Sequence, residues 1–368
     1  MTKIATTQSI LNELGRVLVI GLGVTGESVI RCLAQQGVAI AGLADNRPQV
    51  RGLDDLQKLA PQAATYVGGF DELDLSDFDT VILSPGMPRR SDLVLKALEL
   101  GLEVIGDIEL FGRMADAPVV AVTGSNGKST VVHLLTEMAK ASGVNVALGG
   151  NYGIPALNLL GQNAELYVLE LSSFQLESTR SLKTIASVVL NITPDHMDRY
   201  ESIAEYAHTK GSIYNDARIC LVNLDDVLAS SLTPRKAEVG FGLGHPKRAQ
   251  DYGILECNGE RYLAQGETPL LATSELRIVG RHNQLNALAA LALGEISGLN
   301  AVAMLETLKS YRGLEHRTQW VAERDGVVWI NDSKATNTGA TLAALSGMES
   351  PVILIAGGQG KNANFAVL

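Results

Sequence analysis

Short apolar runs alternate with amphipathic stretches from one end of the chain to the other. Runs at residues 17–20, 38–43, 80–83, 119–122, 166–169, 187–190 and 352–355 are too short to be helices, and their β-branched content predicts strands. Between them, residues 25–36, 91–100, 129–142 and 286–297 place apolar side chains at helical spacing. Strands alternating with helices of this length imply βαβ units and parallel sheets, so the expected fold class is α/β. A short amphipathic stretch ending in Pro suggests one boundary at residues 106–118, and a polar stretch near Gly313 suggests another. Residues 221–276 are strand-like but irregular and offer no chemistry.

The length of 368 residues suits two or three domains. Hydrophobic residues make up 46% and charged residues 19%, which argues against a disordered chain. The net charge of −10 is opposite to what a non-specific nucleic-acid binder needs. No apolar run approaches the roughly 18–20 residues of a membrane span. The N-terminal sequence has no signal-peptide core, so a cytoplasmic protein without membrane insertion is expected. Cys32, Cys220 and Cys257 are far apart and odd in number, which predicts buried thiols rather than disulfides or a zinc site.

Two glycine-rich turns carry the chemistry. RVLVIGLGVTGES places Gly21, Gly23 and Gly26 between a strand and a helix, and Asp45 ends the next strand, the full dinucleotide fingerprint in context. The glycines let a phosphate approach the positive end of the helix dipole, and the acid can accept hydrogen bonds from ribose or base. This window alone favours a nicotinamide or flavin enzyme, although another diphosphate ligand would use the same geometry. Arg47 and the Ser84-Pro85-Gly86 turn could line such a site.

PVVAVTGSNGKSTVVHLL is the second turn. Its loop, Gly124, Ser125, Asn126, Gly127, Lys128, Ser129 and Thr130, resembles a P-loop, in which backbone amides and a Lys hold phosphates while the next hydroxyl holds Mg²⁺. Gly124 is too close to Gly127 for the standard spacing, so this is a variant motif. Two such turns suggest two phosphate-bearing ligands, whereas an ordinary dehydrogenase needs one.

Glu170 ends an apolar run where an unpaired carboxylate would be costly to bury, a cost that a divalent cation removes. Another apolar run leads into Pro194-Asp195-His196-Met197-Asp198-Arg199-Tyr200, which makes His196 a candidate metal or phosphate contact. Lys210 shares a helical face with Ile203, Ala207 and Tyr214; on the pattern alone such a Lys snorkels to solvent.

The blocks TGSNGKST, GGNYGIPAL, ELSSFQLE, NITPDHMDRY, GRHNQLNALAAL, GLEHRTQW and NDSKATN, in this order, resemble the Mur ligases, the amide ligases of peptidoglycan synthesis. The first glycine turn, the Ser84-Pro85-Gly86-Met87 turn and the forms ELSSFQLE, DHMDRY and NDSKATN are most similar to the branch that adds D-glutamate to UDP-N-acetylmuramoyl-L-alanine. The resemblance implies a Rossmann-like UDP-sugar domain at 1–109, a central P-loop-type ATPase domain at 110–313 and the start of a third, Rossmann-like domain at 314–368. It implies that Val24, Thr25, Asp45, Arg47 and Gly86 contact the uridine diphosphate and that Lys128 contacts the ATP phosphates. Ser129 and Glu170 would hold one Mg²⁺, and His196 with a carbamylated Lys210 would hold a second. Desolvation favours the neutral amine that reacts with carbon dioxide, which gives that modification a physical reason. Asn151, Ser172 and Gln175 would line the muramoyl-alanine end, Asn283 and Asn286 would meet the adenine, and Arg317 and Asp332 would close on the nucleotide. Lys334, Thr336 and Lys361 would face substrate.

The implied reaction is ATP-dependent amide formation through an acyl phosphate, by a protein expected to be monomeric. The rivals are an NAD-dependent oxidoreductase using the first turn, a Mur-type ligase for a different amino acid, and a non-enzymatic nucleotide sensor. Because the sequence after Gly313 is shorter than the roughly 100–150 residues of a typical domain, the third domain is expected to be incomplete, a βαβ fragment ending soon after a strand at 352–355. The 368-residue chain would then keep affinity for both nucleotides and form little amide.

Overall fold

The computed structural model describes residues 11–233, 238–278, 280–335, 338–346, 348, 350–358 and 365–368. In chain order the elements begin β1 (Val17–Ile20), α1 (Val24–Gln35), β2 (Ile40–Asp45), α2 (Leu53–Leu59), β3 (Ala64–Val67), β4 (Thr80–Leu83), α3 (Asp92–Glu99), β5 (Glu103–Gly106) and α4 (Asp107–Met114). There follow β6 (Val119–Thr123), α5 (Lys128–Ala141), β7 (Val146–Gly150), β8 (Leu166–Glu170), α6 (Ser173–Leu176), β9 (Thr184–Val189), α7 (Ile203–Gly211) and β10 (Ala217–Asn223). The remainder are α8 (Val227–Ser231), β11 (Glu238–Phe241), β12 (Tyr252–Cys257), β13 (Glu260–Gln265), β14 (Thr268–Ala272), α9 (Arg281–Ile296), α10 (Ala301–Ser310), β15 (Gln319–Arg324), β16 (Val327–Asn331) and α11 (Thr338–Ser346).

The chain divides into two compact units. The first comprises Met1–Val119, Ala147–Thr184 and Asp198–Ala217. Its five-stranded sheet has the order β3-β2-β1-β4-β5, and every pair is parallel. All of β1 and β4 is buried, and Leu18, Ile20, Val81, Leu83 and Val104 share a core with Leu73, Leu75 and Phe78. The order reverses direction between β1 and β4, and the crevice beyond the carboxyl ends of such a strand pair is where open α/β sheets bind ligands. The first glycine turn and the Ser84 to Met87 turn both follow these strands.

The second unit comprises Val120–Val146, Ile185–Met197 and Arg218–Leu368. Its sheet strands lie in the order β14-β13-β12-β11-β10-β9-β6. Pairing is parallel for β6 with β9 and for β10, β11 and β12, then antiparallel through β13 and β14. That antiparallel meander is what made residues 221–276 irregular to the eye, because it interrupts the strand-helix alternation. Helix α9 packs on α5 and is buried all round from Ala287 to Gly294. It starts at Arg281, ahead of the predicted 286, because its first turn is polar and the apolar period begins only afterwards.

Three expectations need correction. Residues 352–355 form no strand; Ile353 and Ile355 are largely exposed, and among the described residues this run has no pairing partner to satisfy its amides. The region after Gly313 is accordingly not a βαβ fragment but an antiparallel pair, β15 with β16, followed by α11. Of the three cysteines, Cys32 and Cys220 are buried while Cys257, at the end of β12, is only partly so.

Candidate active site

At the first turn, a Cβ on Gly26 would lie 1.9 Å from the carbonyl oxygen of Gly21, so α1 can rest on the end of β1 only because residue 26 is glycine. Val24, at the first position of α1, is exposed, and Gly86 is exposed at the neighbouring turn. Asp45 is buried, and both of its oxygens are engaged. It accepts from the Leu22 amide at 2.7 Å, the Arg47 amide at 2.9 Å, and Arg47 Nε and Nη2 at 2.8 and 2.6 Å. Hydrogen bonds from Arg47 lower its pKa to about 2, against the desolvation that would raise it. Asp45 therefore braces the turn and aims a half-exposed guanidinium, the residue type that pairs with phosphate oxygens. Its expected use as a ribose or base acceptor competes with these bonds.

The second turn is pinned from behind. The Ser125 amide donates to the Asn191 carbonyl at 2.9 Å, the Asn126 amide to Asn191 Oδ1 at 2.8 Å, and Asn191 Nδ2 returns to the Asn126 carbonyl at 3.0 Å. Ser125 Oγ donates to the Thr193 carbonyl and accepts from the Thr193 amide, both at 2.9 Å. Gly127 has φ +85°, and a Cβ there would lie 2.5 Å from Asn286 Oδ1. The loop therefore needs glycine both for its backbone and for the approach of α9. Lys128 begins α5 and folds its Nζ over the loop, donating to the Gly124 and Ser125 carbonyls at 2.7 and 3.0 Å. Ser129 and Thr130 are buried.

Other predicted nucleotide residues gather in the same unit. Arg317 Nη2 donates to Ser129 Oγ at 3.2 Å, and Asn286 Nδ2 donates to Asn283 Oδ1 at 3.1 Å, both asparagines being buried. Asp332 accepts from the Thr318 amide at 2.8 Å, and its carboxyl is pushed up by burial. His196 stands at a positive φ of 54°, half exposed, with its amide donating to Asp195 Oδ1 at 3.0 Å.

In the first unit, Glu170 closes β8 and is 3% exposed. Its Oε1 accepts from Asn151 Nδ2 at 2.8 Å, and its carbonyl accepts the Asn151 amide at 2.8 Å. Ser172 and Gln175 form a capping box at the start of α6. Gln175 is buried and also donates from Nε2 to Asp107 Oδ2 at 3.1 Å, so its side chain is spent on the interior. Burial raises the Asp107 pKa to about 6. Lys210 does not snorkel. It is 2% exposed, with Nζ 4.8 Å from the ring centre of Tyr206. Glu170 carries oxygen donors of the kind a hard cation takes. Among the described residues no three His, Cys, Asp or Glu side chains cluster.

Two family models match the sequence: the Mur ligase MurD-like N-terminal domain at residues 15–106 and the Mur ligase middle domain at 122–294. A protein of Methylobacillus flagellatus named UDP-N-acetylmuramoylalanine--D-glutamate ligase is 45% identical over 96% of this chain and 78% of its own length. A protein of the same name from Pseudomonas savastanoi pv. phaseolicola is 48% identical over 95% of this chain and 79% of its own. The chain belongs to the Mur ligase family. Solved Mur ligase folds agree in architecture. MurF from Acinetobacter baumannii matches with a TM-score of 0.55 at 16% identity over 93% of this chain and 74% of its own. A pseudomurein peptide ligase from Methanothermus fervidus matches with 0.55 at 20% over 91% and 77%.

Of the remaining residues expected from the Mur ligase resemblance, Lys334 is exposed after β16 and donates its amide to the His316 carbonyl at 3.1 Å, while Thr336 and Lys361 lie outside the described residues. Asn191 and Thr193, which carry the back of the phosphate loop, were not singled out. Their signal is a pair of polar residues flanking Ile192 just after an apolar strand. His282 and Thr318, 3.4 Å apart beside Asp332, were also missed, and their spacing in sequence conceals the pairing.

Proposed function

We infer that this protein is an ATP-dependent amide ligase that adds D-glutamate to UDP-N-acetylmuramoyl-L-alanine in the assembly of peptidoglycan precursors. The observation that carries the reading is the presence of two separate glycine-rich turns in one chain, each opening a helix with a glycine at its N-cap. Hydride transfer requires one nucleotide and gives no reason for the second turn. Relatives 45–48% identical over nearly the whole chain bear the name of this ligase.

In the reaction, the muramoyl-alanine carboxylate attacks the γ-phosphate of ATP to give an acyl phosphate and ADP. The amine of D-glutamate then attacks the activated carbonyl, and phosphate leaves from the tetrahedral intermediate. Lys128 supplies a cation for the phosphate oxygens once its bonds to the Gly124 and Ser125 carbonyls are exchanged for phosphate contacts. Arg317, beside Ser129, adds a second cation. Arg47 and the start of α1 receive the uridine diphosphate.

The finer parts of the proposal follow the family resemblance. Mg²⁺ would be held by Ser129 and Glu170, and a second ion by His196 with carbamylated Lys210; when bound, the ions neutralise charge on the polyphosphate. Asn151 and Ser172 belong to the muramoyl side, with Gln175 behind them engaged on Ser172 and Asp107; Asn283 and Asn286 belong to the adenine, and Asp332, Lys334, Thr336 and Lys361 to closure over substrate. The domain limits 1–109, 110–313 and 314–368, a cytoplasmic location and a monomeric state belong to the same proposal. Thermal-shift titration tests the first site, since a ligand that binds only the native state raises its apparent stability. UDP-N-acetylmuramoyl-L-alanine is expected to raise the melting temperature and NAD(H) is not. Stabilisation by NAD(H) alone would transfer the first turn to a dehydrogenase.

A further inference from the structure

The 196–200 loop contains an arginine that the reaction outlined above does not use. Arg199 and Glu177 are almost fully buried, at 13% and 14% side-chain exposure, and form a bidentate pair: Nε to Oε1 at 3.0 Å and Nη2 to Oε2 at 2.6 Å. The same guanidinium donates to the Pro85 carbonyl at 3.1 Å and the Met87 carbonyl at 3.3 Å, and it stacks 4.0 Å from the centre of the Phe174 ring. Glu177 also accepts from Tyr200 OH at 2.7 Å, and its backbone carbonyl accepts from Arg89 Nη1.

These contacts all lie in the first unit and converge on one short segment. Residues 84–90 form the turn after β4, at the edge of the switch-point crevice. That turn is held to Glu177 twice, once through Arg199 and once through Arg89. Glu177 ends α6, the short helix that follows Glu170 by a few residues. A surface turn left to itself samples many conformations. Here two carbonyls of the turn are fixed by a cation whose planar fork is already locked on a carboxylate.

We propose that Arg199 is a positioning residue that, through Glu177, holds the Pro85 to Met87 turn in the conformation that receives the uridine diphosphate end of the substrate. The proposal rests on the ligase reading, because it takes a nucleotide sugar as the occupant of that crevice. A lysine at 199 would keep the charge, but three donors on one nitrogen cannot reproduce four bonds spread over the three nitrogens of the guanidinium. Buried pairs of this kind also contribute to folding, so the test must separate specific positioning from general damage.

Isothermal titration of the chain with UDP-N-acetylmuramoyl-L-alanine, and separately with a non-hydrolysable ATP analogue, provides that separation. Arg199→Lys and Glu177→Gln are each expected to weaken the UDP-sugar at least tenfold while changing the ATP analogue less than twofold. The double variant is expected to be little worse than either single one, because the two side chains act as a unit. Folded variants with unchanged UDP-sugar affinity would overturn the proposal. So would an equal loss for both ligands, or failure of both variants to fold, since either makes the pair purely structural. Failure of the unmodified chain to bind the UDP-sugar would instead overturn the ligase reading, and the proposal with it.

Discussion

Replacing Lys210 by alanine is expected to lower D-glutamate-dependent phosphate release by about 10–100-fold, the scale of loss seen when a group that orients a metal site is removed. Millimolar acetate is expected to restore part of the rate. Lys210 is among the largest fully buried side chains of the protein, and it sits on a helix with buried Tyr206 and Ala207. Burial keeps its Nζ out of water, 4.8 Å from the centre of the Tyr206 ring. In the proposed carbamylated form the side chain ends in a carboxylate, so truncation to alanine leaves room that a small carboxylate is expected to fill. Lys210→Met supplies the control: it fills the volume, so it should be inactive and unresponsive to acetate. Both variants should melt as cooperatively as the parent. Normal ligation by Lys210→Ala, or equal acetate response in the two variants, would reduce Lys210 to a packing residue.

The second large effect is expected at Lys128. Lys128→Ala should reduce turnover by about 10²–10³-fold, the range for losing one group that stabilises developing charge, with UDP-sugar affinity unchanged. Lys128 Nζ donates to carbonyls of its own loop, at Gly124 and Ser125. Those acceptors are backbone groups that tolerate its withdrawal toward phosphate. The loop itself is held independently by Asn191 and Thr193, so the alanine variant keeps its backbone shape. Turnover and UDP-sugar titration on the same sample check this; loss of both together would mean that the loop had collapsed.

Much of this architecture is legible in the amino-acid sequence. Parallel α/β order follows from apolar runs of strand length alternating with helices, and both glycine-rich turns declare themselves because glycine is needed where backbone meets backbone, as at Gly26, or where φ is positive, as at Gly127. Lys210 could not be resolved from pattern alone, because an amphipathic stretch does not distinguish a lysine that snorkels from one that is enclosed; only the family resemblance pointed inward. The run at 352–355 misled for the opposite reason. β-branched residues favour strands only where a neighbour pairs with them, and none of the described residues does. Gln175 was legible as a polar residue near Glu170, but not its burial against Asp107, nor the Arg199–Glu177 pair, because both join segments whose proximity is set by tertiary packing.

The central claim is that two nucleotide-bearing ligands are used to join an amino acid to a UDP-sugar. It is tested most directly by phosphate release from ATP, measured with the protein as expressed from its own gene, in the presence of UDP-N-acetylmuramoyl-L-alanine and a panel of amino acids. Release that requires the UDP-sugar and proceeds with D-glutamate, but not with L-glutamate, L-alanine or meso-diaminopimelate, is the predicted result. Release that is indifferent to the amino acid, or that occurs only with one other than D-glutamate, would contradict it.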